Sequence, residues 1–199
     1  MFSRMTEENA LPRSPDLMTA SDTGLLVVDV QQMLIGLIEG HERIVWNIRR
    51  LIDGAKLLGL PIIATEQYPQ GLGPTSPELA SHLNPVFSKT VFSCGGSTEF
   101  SDALAASGKI KWLVAGIEAH VCIQQTVLDL LAEGFRVYIA ADAVGSRARF
   151  DYEIALRRME SAGATLTTVE SALFEWCQDS KAPQFKQISK LVQEKPPTA

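Results

Sequence analysis

Two residues stand where an α/β sheet would place chemistry. Asp29 closes the apolar run Gly24–Val30 (GLLVVDV), and Cys122 follows the run IKWLVAG and opens a helical stretch. A carboxylate at the end of an apolar strand needs a partner or a task, because burying an unpaired charge is costly. Its plainer role would be to cap the next turn. A cysteine at a helix start meets free backbone N–H groups and the positive end of the helix dipole, which favour a thiolate. The plainer role there is that of a small buried hydrophobe. A cysteine nucleophile ordinarily wants a histidine base, yet His120 is only two residues from Cys122, His41 begins a helix and His82 lies in an irregular loop. Asp29 is left as the candidate base.

The elements that would position these groups repeat one pattern. A helix-like stretch ends at a glycine, and an apolar run begins within a few residues: Gly59 before PIIAT, Gly108 before IKWLVAG, Gly134 before RVYIAA and Gly163 before TLTTV. Glycine relieves the left-handed helix C-cap, and continuous apolar runs suit strands buried on both faces. Between them, Glu42–Leu58 sets Ile44, Val45, Ile48, Leu51, Ile52, Ala55 and Leu58 on one helical stripe. Val121–Glu133, Tyr152–Ala162 and Ser97–Ala106 read as further helices. A short strand within Val86–Phe92, in the proline-rich stretch 67–97, brings the number to about six. The expectation is a three-layer α/β domain with a parallel sheet and helices on both faces.

Ligands bind such sheets beyond the carboxyl ends of the strands, where strand order reverses. The residues to inspect are therefore Asp29 to Gln31, Thr65 to Tyr68, Ile117 to Cys122, and Asp142 and Ser146. Gln31 and Tyr68 are the candidates for a substrate pocket. Neither GxGxxG nor GxxxxGK[ST] occurs, which disfavours dinucleotide and NTP enzymes.

The chain has 199 residues, 46% of them hydrophobic, enough for one sizeable core and too apolar for wholesale disorder. A net charge of -5 disfavours nucleic acid, and no apolar run reaches the ~20 residues of a membrane span. Residues 1–22 read as a flexible arm or a segment docking on a neighbouring subunit. They lack a signal-peptide core and carry acids that transit peptides avoid. Residues 23–180 form the domain, and 181–199 a polar tail or peripheral helix. Three widely spaced cysteines fit neither a disulfide framework nor a zinc site, so a reducing, cytoplasmic location is expected.

The segments GLLVVDVQ, KTVFSCGGSTEF and WLVAGIEAHVCIQQTVLDLLAEGFRVYIAADAV together resemble the isochorismatase-like cysteine hydrolase superfamily, over roughly Gly24 to Trp176. The loop TEQYPQGLG is similar to the isochorismatase domain-containing subgroup. The resemblance implies a six-stranded parallel sheet in order 3-2-1-4-5-6. It also implies an Asp29–Lys89–Cys122 triad, with Lys89 in K-x-x-x-S. A lysine in a loop would otherwise read as solvated. A cis peptide at Ile117–Glu118 is implied too, with the backbone N–H groups of Glu118 and Cys122 as an oxyanion hole. The histidines through which nicotinamidases of the family hold a metal are missing from TEQYPQGLG, so neither metal nor cofactor is expected.

The activity this implies is hydrolysis of a C–N bond, amide or ureido, in a small molecule through a thioester, by a homo-oligomer. Three other readings compete: vinyl-ether hydrolysis of an isochorismate-like acid, a catalytically silent scaffold, and a redox protein using Cys94 and Cys122. Without a CxxC the last is disfavoured. Cys94 reads as buried or as lining the site near Lys89, and Cys177 as structural.

Overall fold

The computed structural model describes residues 11–197. Six strands form one sheet: β1 (Thr23–Val28), β2 (Ile62–Gln67), β3 (Val86–Lys89), β4 (Lys111–Ile117), β5 (Arg136–Gly145) and β6 (Thr165–Thr167). Their order is β3-β2-β1-β4-β5-β6, and every pair is parallel. This is the expected fold, and its switch point lies between β1 and β4.

Because strand side chains alternate, each strand feeds two cores. Leu25, Val27, Leu113, Ala115 and Ile117 point to one face. That face is covered by α1 (His41–Leu58), α5 (Val169–Cys177) and α6 (Phe185–Val192). Leu26, Val28, Trp112, Val114 and Ile139 point to the other, under α2 (Thr98–Ser107), α3 (Gln124–Ala132) and α4 (Arg149–Ser161). The α1 stripe is buried from Ile44 to Ala55 and ends at Gly59, whose φ of 73° permits the N–H bond back to Ala55 O. Each such fully buried leucine or isoleucine contributes about 1.5–3 kcal/mol.

Three local features differ from the sequence reading. β5 continues past the expected Ala141 to Gly145, because its pairing with β4 jumps from Val114↔Ile139 to Gly116↔Val144. The helix expected from Val121 begins as a π-helical turn, Ala119–Ile123, before α3. And the arm expected to be flexible over 1–22 is docked over 13–22, while residues 1–10 lie outside the described residues. The physical reason is a small apolar anchor with polar ties. Met18 is fully buried. Lys111 Nζ donates to Leu17 O at 2.7 Å and pairs with Asp22 at 2.9 Å. Tyr138 donates its hydroxyl proton to Asp16 O. At the other end, Ile188 and Leu191 bury α6 against the body, so the 181–199 tail contains a packed helix.

Asp22 makes this docking sensitive to acid. Burial opposes its charge, but hydrogen bonds from Lys111, Thr23 and Thr19 outweigh burial and hold its carboxyl down to about 2. A depressed folded value gives stability that is present above the ordinary 3.8 and is lost as pH falls through about 2. Asp22→Asn should lower the melting temperature at pH 7 by a few degrees and lose less between pH 4 and 2 than the wild type does. Thermal melts across that range measure both.

Candidate active site

β1 ends at the switch point in a tight turn. Asp29 has a φ of 51°, in the left-handed region that aspartate tolerates better than most residues. Its N–H still completes the β1–β2 ladder through Thr65 O (3.1 Å), while its carbonyl accepts the Gln31 N–H at 2.8 Å. The carboxylate is fully buried and fully engaged. Oδ1 accepts the Thr65 hydroxyl at 2.8 Å, and Oδ2 accepts Lys89 Nζ at 2.7 Å.

Lys89 is the last residue of β3, two strands from β1, or ~10 Å across the sheet. A lysine side chain is long enough to cross the end of β2. Its ammonium is 1% exposed and also donates to Gln67 Oε1 (2.7 Å), Phe92 O (3.0 Å) and Val91 O (3.4 Å). A buried ion pair is tolerated only when its remaining protons and lone pairs are satisfied in this way. Burial works against the ammonium, but the charge of Asp29, foremost among its neighbours, and the hydrogen bond to it hold Lys89 above its ordinary value.

Cys122 sits in the π-turn beyond β4, its Sγ 4.0 Å from Gln67 Oε1 and under the influence of the buried Asp29 and Lys89 charges. The thiol is not the ready thiolate that a helix start suggests. Burial first, and the Asp29 charge second, push it well above the usual cysteine range, and Lys89 offsets them only in part. The π-turn is tied to the loop before α2 by Thr126, whose hydroxyl donates to Cys122 O (2.7 Å) and accepts the Cys94 N–H (2.9 Å).

The Ile117–Glu118 peptide is cis. Among the described residues, no acceptor takes the Glu118 N–H. Its carboxylate instead faces Arg147, whose Nε lies 3.1 Å from both oxygens.

The remaining sequence candidates separate cleanly. Gln31 does not line a pocket. It is fully buried, and its amide is spent on backbone: Oε1 accepts the Gln67 N–H at 2.7 Å, and Nε2 donates to Gln67 O and Gly73 O. Tyr68 is half exposed and, with Ser88, Lys89, Val91 and Ser97, lines a cavity of about 300 Å³. Cys94 is fully buried with Sγ 3.6 Å from Thr65 Oγ1, its thiol pushed up to about 11 mainly by burial. His120 is turned to Ser146 Oγ (3.0 Å), and Asp142 accepts the Val169 N–H at the start of α5. Neither makes a hydrogen bond to Asp29, Lys89 or Cys122. Two contributors carry no role in the sequence reading, Thr65 and Gln67. Their signal is faint but real: two polar residues at i and i+2 share one side at the carboxyl end of β2. Among the described residues, no three His, Cys, Asp or Glu side chains come together as metal ligands would.

A parallel doubly wound sheet whose switch point gathers a carboxylate, an ammonium and a thiol defines an isochorismatase-like hydrolase. The comparisons agree: the isochorismatase domain model matches residues 23–171, and the chain belongs to that family. It is 40% identical over 168 residues to isochorismatase domain-containing protein 2 of Danio rerio, covering 84% of this chain and 85% of that one. Among solved structures, a protein described as MAR1 ribonuclease from Caenorhabditis elegans superimposes with a TM-score of 0.86 at 39% identity, covering 92% and 95% of the two chains. The Escherichia coli YcaC gene product, described as an octameric hydrolase of unknown specificity, gives 0.85 at 27% identity over 91% of each.

Proposed function

We propose that this chain is a cysteine hydrolase that cleaves a C–N bond, amide or ureido, of a small molecule through a thioester at Cys122. The observation that carries this reading is the buried Asp29–Lys89 ion pair acting on the Cys122 thiol, a base and a counter-charge with no histidine among the groups that influence the sulfur. The thiol is held protonated at rest, so the thiolate forms during attack: Asp29 takes the proton as sulfur bonds to the carbonyl carbon. Lys89 then balances the charge that has moved from carboxylate to sulfur and on to oxygen. The Glu118 and Cys122 amides receive the tetrahedral oxyanion, each donor being worth about 3 kcal/mol. Asp29 returns the proton to the leaving nitrogen, and water attacks the thioester to release the acid and the free thiol.

Vinyl-ether hydrolysis would leave Cys122 without work. The net charge of -5 works against the phosphate binding that the ribonuclease description of the nematode neighbour would require. The reading asks for no metal and no cofactor. It fits a cytoplasmic protein, whose reducing surroundings would keep the three free, buried cysteines as thiols. It also fits a homo-oligomer, as the octameric neighbour is. Among the described residues no helix is long and apolar enough to cross a membrane.

The test is a panel of small amides, ureas and vinyl ethers, assayed with and without chelator and followed by intact mass. Turnover of an amide or urea with an acyl adduct on Cys122 is expected, unchanged by chelator. Turnover confined to vinyl ethers, with no adduct at any time, would overturn the reading.

A further inference from the structure

Gln67 touches both Lys89 and the sulfur of Cys122, and the mechanism above gives it no part. It is the last residue of β2, between the strands that carry Asp29 and Lys89. Every polar group it owns is committed. Its backbone N–H and C=O are gripped by the Gln31 amide, which extends the β1–β2 pairing one step beyond the strand ends. Its Nε2 donates to Thr90 O at 2.7 Å. That bond fixes the orientation of the amide, because the nitrogen must face Thr90 and the oxygen must face inward. Inward lie Lys89 Nζ at 2.7 Å and Cys122 Sγ at 4.0 Å.

We propose that Gln67 is a positioning residue of this site: its Oε1 is the shared acceptor that holds the Lys89 ammonium in place and keeps the Cys122 thiol proton until Asp29 takes it. The inference rests on the cysteine-hydrolase reading for its catalytic meaning but not for its geometry. An acceptor oxygen facing the sulfur favours S–H over a bare thiolate, since a thiolate would confront a lone pair. The ionisable groups around the sulfur are Asp29 from the end of β1, Lys89 from β3 and Cys94 from the loop before α2. Gln67 is the neutral group among them, so changing its charge perturbs the sulfur without removing a member of the triad. The arrangement also explains why Gln31 is buried: its amide serves as a clamp on Gln67.

Iodoacetamide labelling of Cys122 at pH 8, read residue by residue by mass spectrometry, tests this without any substrate. Gln67→Leu keeps a similar volume but removes the acceptor, and should speed labelling by about tenfold. Gln67→Glu puts a second carboxylate beside the sulfur and should slow it by about tenfold or more. A change in access alone would move both variants in the same direction. Labelling of both variants at the wild-type rate, or a shift of the same sign in both, would overturn the proposal. Circular dichroism melts confirm that each variant is folded, and Gln67→Met repeats the first arm should the leucine variant not fold. Opposite shifts in a protein with no amide turnover would leave this inference standing and overturn the hydrolase reading instead.

Discussion

Cys122→Ala should abolish amide or urea turnover, with kcat falling by roughly 10³–10⁶, the loss seen when a nucleophile is removed from a covalent mechanism. The substitution removes one sulfur from a buried site and adds no polar group, so the fold should persist. Asp29→Asn should cost on the order of 10²–10⁴ in kcat, the usual contribution of a positioned base. It also carries a stability penalty. Asp29 and Lys89 are each only 1% exposed, and removing one partner leaves a buried charge uncompensated, which costs about 3–5 kcal/mol. The two effects can be separated. Asp29→Asn combined with Lys89→Met removes the stranded ammonium and should recover much of the lost stability while turnover stays lost. Chemical denaturation and steady-state kinetics on the four proteins check this. If Cys122→Ala turns over at a near-normal rate, the covalent route is wrong. If the double variant regains activity along with stability, Asp29 is a structural partner and not the base.

The raised thiol has a kinetic consequence of its own. At pH 8 less of Cys122 is thiolate than in an ordinary cysteine, because burial and Asp29 both oppose the charge. Wild-type Cys122 therefore owes its proposed reactivity to Asp29 at the moment of attack and not to a standing negative charge. This is where reasoning from sequence went astray, and the cause is specific. The helix-start argument assumes that the residue caps a regular helix with free N–H groups aimed at its sulfur. Here a π-turn precedes α3, and the buried sulfur faces the Gln67 amide oxygen and feels the Asp29 charge instead.

Most of the fold was legible because strands buried on both faces need continuous apolar runs, and those runs are visible without coordinates. Asp29 and Cys122 were legible for a related reason, since each interrupts or follows such a run at its carboxyl end. Lys89 was not readable from its own surroundings. Its role depends on side-chain reach across β2, and only likeness to a family pointed to it. Gln31 was misread as pocket-lining, because nothing local reveals that an amide will pair with the backbone of Gln67. The four residues by which β5 outruns its apolar core come from a slip in register against β4, a property of two strands that neither segment carries alone.

The second large effect lies in that same strand. Gly116 pairs with Val28, the residue before Asp29, and has a φ of 125°. A Cβ built there would sit 2.1 Å from Val28 O and 2.7 Å from Val28 N, with no flexible side chain to yield. Only glycine lets β4 run this close to β1, and that close approach brings the Cys122 turn over the Asp29 turn. Gly116→Ala should therefore destabilise the protein by several kcal/mol, combining a backbone conformation that side chains rarely adopt with a clash against main chain. Gly116→Val should leave little soluble protein. Whatever folds of the alanine variant must part β1 from β4 locally, so turnover should fall even in the folded fraction. Gly36, which has no heavy atom within 4 Å of a built Cβ and no left-handed φ, provides the control. Gly36→Ala should melt within about a degree or two of the wild type. Equal melting temperatures for the Gly116 and Gly36 alanine variants would mean that the sheet opens at its switch point without cost, and that the close approach of β1 and β4 does not hold the site together.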